Sequence, residues 1–485
     1  MIESKCIHLD KSQSQADALE KVPVPADHWR VMIGLHRTLL HEHHDFFLAS
    51  QHPSASPALQ RLAAKYNMPA RMWKHGIHSF LELLRHHLPA SLEFMVSFIY
   101  MAYQMMSLLY ETVPTVQETW IECLGDLSRY RMAVEEEDPR DREVWAGVAR
   151  FWYSKAADRM PTTGRLYHHL AILARPNNLQ QLYLYSRALT STQAFLSARE
   201  SIQILFEPVL KDNSLDIEVS FIKVHAYLFY HHFEEAQEPM KRFHDLLNNQ
   251  IGVSHIKWRE PGVYLAVSNI AALFDYGGYQ ELRYIFETGN RLSKPPNNAE
   301  LKQLKEPPPS NDESEQAFRH ACQFAFKTFQ IVLSRKGDVN VFPFVSITLC
   351  FLLTLTKFQH FKNELPISSR YVVRSLLSVV PWQDLCNFLN TLARSEQNFK
   401  TNYESSEFIR PESGDHGVLP EDHLVRGEVF TYTFFPENWF ENSSSDDEER
   451  LIEHVSTAKL RLQRILWLGY MLASVRLPPL SLLTI

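Results

Sequence analysis

The sequence predicts an all-α protein, and three observations carry that expectation. Glycine is scarce, 15 of 485 residues, against a usual share of about 7%, which disfavours turn-rich β architectures and glycine-loop nucleotide folds. Long stretches space their apolar residues for one face of a helix rather than in alternation. Part of the chain also repeats itself loosely, with small residues, an aromatic and a proline at the intervals of a paired-helix repeat. With 45% apolar and 12% aromatic residues, the chain is long enough for two or three domains and a sizeable core, so disorder throughout is excluded.

Trp73, Ile77, Phe80, Leu81 and Leu84 form an amphipathic stripe that stops near Pro89. From Leu92 to Tyr110, apolar residues at Leu92, Met95, Val96, Ile99, Tyr103, Met106 and Tyr110 keep helical spacing, and others fill the remaining faces, so this helix is central. Trp120, Leu124 and Leu127 mark the next helix, after Pro114. Ala149, Tyr153, Ala156 and Pro161 then follow the spacing of the second helix and exit turn of a tetratricopeptide repeat. Small residues at two positions let helices approach closely, the aromatic fills the gap, and proline ends the helix.

Leu170 and Ala171 open a second helix pair, whose later half, around Tyr185 and Ala188, fits with a register shift. Residues 194–210 supply one more helix. The reading is therefore a partly helical N-terminal extension over 1–69 and an antiparallel helical stack over 70–210. Helical patterns continue through Phe221, Val224, Tyr227, Leu228 and His231. Residues 294–317, proline-rich and acidic with few apolar side chains, read as a disordered insertion between helical segments 211–293 and 318–475. Later breaks fall at 402–420 and 441–449, and residues 476–485 show no usable periodicity.

Charge and motifs exclude several function classes. Lys and Arg number 49 against 56 Asp and Glu, a net charge of −7, so nothing suggests a protein that grips polyanions over its whole surface. The five cysteines, Cys6, Cys123, Cys322, Cys350 and Cys386, are unclustered and odd in number, which indicates neither a disulfide framework nor a zinc site and predicts a reducing compartment. No charged and then apolar leader opens the chain, so an intracellular protein is expected. The apolar stretches 94–110 and 341–356 are shorter than ~18 residues and carry Ser, Thr or Gln, which predicts buried core helices and no membrane partner.

No GxGxxG, P-loop, GxSxG or HExxH is present, and no cofactor is indicated. In HEHHD, His41, His43, His44 and Asp45 have ligand chemistry, but such a local cluster reads as a solvated polar face and no metal is expected. SSSDDEE, residues 443–449, reads as a solvated loop whose serines offer phosphorylation sites. The more telling constellation is GDLSRYR, Gly125 to Arg131. Arg129 shares a helix face with Glu122, Gly125 and Asp126, away from the Trp120, Leu124 and Leu127 stripe. It either pairs with Asp126 at i, i+3 or faces a groove.

GDLSRYR, together with FWYSKAADRMPTTGRLYHHLAILA (Phe151 to Ala174) and LYLYSRAL (Leu182 to Leu189), closely resembles the family of Est-type telomerase-associated and SMG nonsense-mediated-decay proteins. VVPWQDLCNFLNTL (Val379 to Leu392), PEDHLVRGEVFTYTFFPENWF (Pro420 to Phe440) and RILWLGYMLAS (Arg464 to Ser474) agree in order. MWKHGIHSFLELLRHHLP, from Met72, resembles fungal-type members.

The resemblance implies a 14-3-3-like, tetratricopeptide-related helical stack over 70–210, followed by α-helical hairpins, the family's DNA/RNA-binding region. It implies a phosphopeptide groove in the first domain, with Arg129 and Tyr130 as the Arg-Tyr pair. Bidentate guanidinium bonds and a phenol hydroxyl suit a phosphate. Five residues beyond Trp73, where decay-family members carry lysine, stands His78, mostly neutral at pH 7 when unperturbed. Lys74, His78 and Arg85, at i, i+4 and i+11, form one helical stripe, so Lys74 or Arg85 supplies the missing charge. Pro381, Trp382, Phe388 and Leu389 read as packing between hairpins rather than as a base-stacking platform.

The resemblance further implies a non-enzymatic adaptor in nonsense-mediated mRNA decay, since catalytic members add a C-terminal nuclease domain. The partners would be a phosphorylated RNA helicase, or another phosphoserine protein, and decay effectors. The alternative is a telomerase accessory subunit that binds telomerase RNA or single-stranded telomeric DNA. Either reading places the protein in the nucleus, the cytoplasm or both.

Overall fold

The computed structural model describes residues 24–293, 312–357, 366–395, 408–409, 417–441 and 455–475. Regular structure among them is helical. No strand forms, and two isolated bridges, Thr163 with Gln193 and Ser191 with Glu428, complete the ladder contacts of the described residues. The chain divides into two compact units, Met1–Arg159 and Met160–Ile485. The predicted insertion up to residue 311, the acidic 443–449, Cys6 and residues 476–485 lie outside the described residues.

The first unit holds α1 (Ala26–Gln51), α2 (Pro57–Lys65), α3 (Ser79–His86), α4 (Leu92–Thr112), α5 (Gln117–Val134) and α6 (Pro139–Arg159). Trp29, Met32, His36, Leu40 and Phe47 lie at helical spacing on the buried face of α1, which packs on α4. Helix α1, which lies inside the expected N-terminal extension, is therefore part of the bundle core; its polar surface residues hid that apolar stripe. The Ser56 hydroxyl caps α2 by accepting from the Leu59 amide, and Pro57 at the first helical position has no amide to satisfy. Ala149, Tyr153 and Ala156 are fully buried in α6, which packs along α5, as their spacing predicts.

Helix α4 buries Met95, Phe98, Ile99, Ala102, Met106 and Leu109 and leaves Tyr100 and Leu108 exposed. It and Val339–Lys357 are long and apolar enough to cross a bilayer, yet each packs within its unit, and 89% of the apolar window of the latter is buried.

In the second unit, α7 (Gly164–Leu173) pairs with α8 (Asn178–Thr190). The helix begins at Gly164, earlier than Leu170. A side chain at Gly164 would place Cβ 2.3 Å from the Ala188 carbonyl oxygen, so glycine permits the close approach of the pair. The helices between Gly164 and Lys211, read from sequence with the first domain, fall in this unit, where α8 packs on Arg259–Leu273. Repeat spacing identifies a helix pair but not the neighbour on which it stacks.

The unit continues with α9 (Ile217–Phe229), α10 (Phe233–Ser254), α11 (Arg259–Leu273), α12 (Gln280–Leu292), α13 (Asp312–Leu333), α14 (Phe342–Lys357), α15 (Ile367–Val379), α16 (Trp382–Ser395), α17 (Pro420–Val425) and α18 (Val455–Ser474). Helix α13 starts inside the stretch expected to be disordered, because Asp312, Glu313 and Glu315 in its first turn complement the positive helix end. Residues Phe342 to Thr356 of α14 are all buried, with α11 and α18 packed against them. Trp382, Phe388 and Leu389 are buried, in keeping with packing between helices. Helices α17 and α18 are tied by Arg461, whose Nε and Nη2 bond both Glu421 oxygens at 2.8 to 3.0 Å, with both side chains 2% exposed.

Candidate phosphopeptide site

The residues nominated from sequence lie on α3, on the turn that precedes it, and on α5. A short helix, Met68–Arg71, runs without a break into a π-helical turn, Met72–His78, and then into α3. The Ser79 amide bonds the Lys74 carbonyl, the i to i+5 pattern of a π turn. A buried histidine from α1 fixes the turn. Nδ1 of His36 donates to the Gly76 carbonyl at 2.8 Å, and its ring stacks on Phe80 with centroids 4.3 Å apart. Burial outweighs that bond and holds the His36 imidazole below its ordinary range, so it is neutral.

The extra residue in the turn interrupts the straight stripe expected for Lys74, His78 and Arg85. Lys74 is exposed on the π turn, and its carbonyl also accepts from the Ser79 hydroxyl at 2.7 Å. His78 is exposed, with its ring centroid 6.3 Å from that of Tyr130. Arg85 reaches back to Glu82: Nη2 donates to Oε2 at 2.6 Å, and Nε lies 3.1 and 3.2 Å from the two oxygens.

Tyr130 and Arg129 come from α5. The Tyr130 hydroxyl donates to Glu82 Oε1 at 2.6 Å, so one carboxylate joins α3 to α5 and holds Tyr130 and Arg85 together. The Arg129 guanidinium lies 5.5 Å from the centre of the Tyr130 ring. Its Nη2 donates to Asp126 Oδ1 at 3.2 Å and its Nε to the Tyr153 hydroxyl at 3.3 Å, while Tyr153 donates to Asp126 at 2.5 Å. Arg129 therefore pairs with Asp126, as its i, i+3 spacing allows, and its side chain stays 29% exposed.

The electrostatics follow from these contacts. Burial alone would raise the Glu82 carboxyl, but the bonds from Arg85 and Tyr130, the Arg85 charge and His78 hold it below the usual carboxylate range. Burial and Glu82 push the Tyr130 phenol up, so it is a donor. Burial opposes the Arg129 charge, but Tyr153 and Asp126 more than offset it. One guanidinium, that of Arg85, and one phenol donor, that of Tyr130, thus converge on the Glu82 carboxylate, while Arg129 is held by Asp126 and Tyr153.

Sequence reasoning misses Glu82, although it lies i+4 from His78 and i−3 from Arg85, because a carboxylate carries no phosphate-binding signal of its own. Such reasoning reads Tyr153 as packing alone, since a hydroxyl contact between helices leaves no local spacing signal. The histidines of HEHHD make ordinary contacts: His43 Nδ1 to the Leu39 carbonyl at 2.8 Å, and His44 Nε2 to the Thr112 hydroxyl at 3.3 Å. No group of three or more metal-ligating side chains converges among the described residues.

Residues 149–232 match the family model described as the Est1 DNA/RNA binding domain. The chain is 39% identical over 87 residues to the telomerase-binding protein EST1A of Danio rerio, covering 18% of this chain and 5% of that protein. It is 34% identical over 86 residues to the nonsense-mediated mRNA decay factor SMG7 of Arabidopsis thaliana, covering 17% of this chain and 8% of that protein. The matched segments are thus small parts of both relatives. A crystal structure of Est1 and Cdc13 shares the fold, with a TM-score of 0.59 at 12% identity over 98% of this chain and 95% of the other.

Proposed function

Since the chain belongs to the family of Est1 and SMG proteins, we propose that it is a non-catalytic adaptor whose first unit receives a phosphoserine segment of a protein partner. In the decay setting named by the SMG7 relative, that partner is a phosphorylated RNA helicase, and the helices of the second unit hold decay effectors in the nucleus or cytoplasm. The supporting observation is that the Tyr130 hydroxyl and the Arg85 guanidinium already hold an anion, the Glu82 carboxylate, beside Arg129. A phosphate oxygen needs the same donors, and a guanidinium and a phenol together supply several charge-assisted bonds. Arg85, with Lys74 exposed on the preceding turn, supplies positive charge for the phosphate.

The test is fluorescence anisotropy of the full chain with matched phosphorylated and unphosphorylated Ser-Gln peptides. The expected result is selective binding of the phosphorylated peptide that Arg129→Glu abolishes. The match to a DNA/RNA binding domain favours a second reading, a telomerase accessory role with telomerase RNA or a single telomeric strand as ligand. That role predicts strand binding that falls steeply with salt and does not respond to peptide phosphorylation.

A further inference from the structure

We infer that Glu82 is an internal stand-in for the ligand, which makes the site selective for a dianionic phosphate ester over an acidic side chain. The inference rests on the phosphopeptide reading and specifies what that site admits. The carboxylate occupies the donors a bound phosphate would use: Oε1 takes the Tyr130 hydroxyl at 2.6 Å, and Oε2 takes Arg85 Nη2 at 2.6 Å. The Glu82 side chain is nevertheless 30% exposed and Arg85 52% exposed, so the carboxylate can swing into water by side-chain rotation, without helix movement. Each incoming anion must therefore displace an anion already in place.

The outcome of that competition depends on charge and oxygen count. An Asp or Glu side chain from a partner brings one negative charge and two oxygens, which is what Glu82 already supplies, and it also loses the freedom of an unbound peptide. A phosphoserine brings a charge of about −1.5 to −2 and three acceptor oxygens. It can hold Tyr130 and Arg85 while drawing on Arg129, whose guanidinium lies over the Tyr130 ring. Phosphate thus outcompetes Glu82 where a carboxylate does not, and phosphomimetic substitution of the partner's serine fails to restore binding. Asp126 belongs to the same arrangement: it accepts from Arg129, while the Tyr130 hydroxyl goes to Glu82.

The experiment measures anisotropy of the full chain and of the Glu82→Gln and Glu82→Ala variants with three peptides that carry phosphoserine, serine or glutamate at one position. Both variants are expected to bind the phosphoserine peptide about tenfold more tightly, the factor for a site closed about ten to one by its own side chain. They are also expected to gain measurable binding of the glutamate peptide, with melting temperatures near that of the parent chain. Equal phosphopeptide affinity in parent and variants, still lost in Arg129→Glu, would overturn the role of Glu82 and leave the phosphopeptide site standing. Absence of phosphopeptide binding in parent and variants alike would overturn the site itself.

Discussion

Tyr153 can support Arg129 only because residue 125 has no side chain. A Cβ at Gly125 would stand 2.9 Å from Tyr153 Cε1, and the ring is fully buried. Overpacking such a contact costs about 1–3 kcal/mol, against the ~1 kcal/mol by which alanine favours a helix interior. Gly125→Ala is therefore expected to lower stability by up to about 2 kcal/mol and to weaken phosphopeptide binding by displacing the Tyr153–Asp126–Arg129 contacts; thermal melting and anisotropy check the two effects. At this scale half of the site is legible in the sequence. The i, i+3 spacing of Asp126 and Arg129 is a local fact that survives folding. The Tyr130–Glu82 bond joins residues 48 apart and exists only once α3 and α5 are packed.

Among the elements, the π turn shows how tertiary contacts override local pattern. Apolar spacing from Trp73 to Leu84 predicts one regular helix, but His36 arrives from α1 and takes the Gly76 carbonyl, and the backbone adopts the wider turn that places Lys74. The signals that locate whole helices, from Leu92 to Thr112 and from Phe342 to Lys357, are long and apolar and leave little room for another reading. In the second unit, the buried Arg461–Glu421 pair ties α17 to α18, a pairing across 40 residues that no local spacing predicts. Removing one partner of such a pair costs about 3–5 kcal/mol, because the other charge stays buried without its partner, whereas an apolar replacement of both is often neutral. Arg461→Ala is thus expected to lower the denaturant midpoint sharply, and Arg461→Met with Glu421→Leu to restore most of it. Equal loss in the single and double variants would show that the pair itself, rather than a stranded charge, sets the stability.

On the scale of the whole molecule, stability and function draw on different groups, and pH separates them. Burial pushes the His225 imidazole down to about 3 and that of His244 to about 4, the latter with help from Lys327. In the unfolded chain both take up a proton near pH 6.5. Their contribution is therefore complete above about pH 6.5 and is lost as pH falls toward 4 and 3, by up to ~1.4 kcal/mol per pH unit for each. The melting temperature is expected to be lower at pH 5 than at pH 7.5, and less so in His225→Gln; a melting temperature that does not change over that range would contradict the burial of both rings. The central claim concerns the first unit, and hydrogen–deuterium exchange of the full chain with and without a saturating phosphoserine peptide tests it most directly. The account predicts slowed exchange in Met72–His78, α3 and α5, absent with the unphosphorylated peptide and lost in Arg129→Glu. Protection by the phosphorylated peptide confined to segments outside these would contradict it.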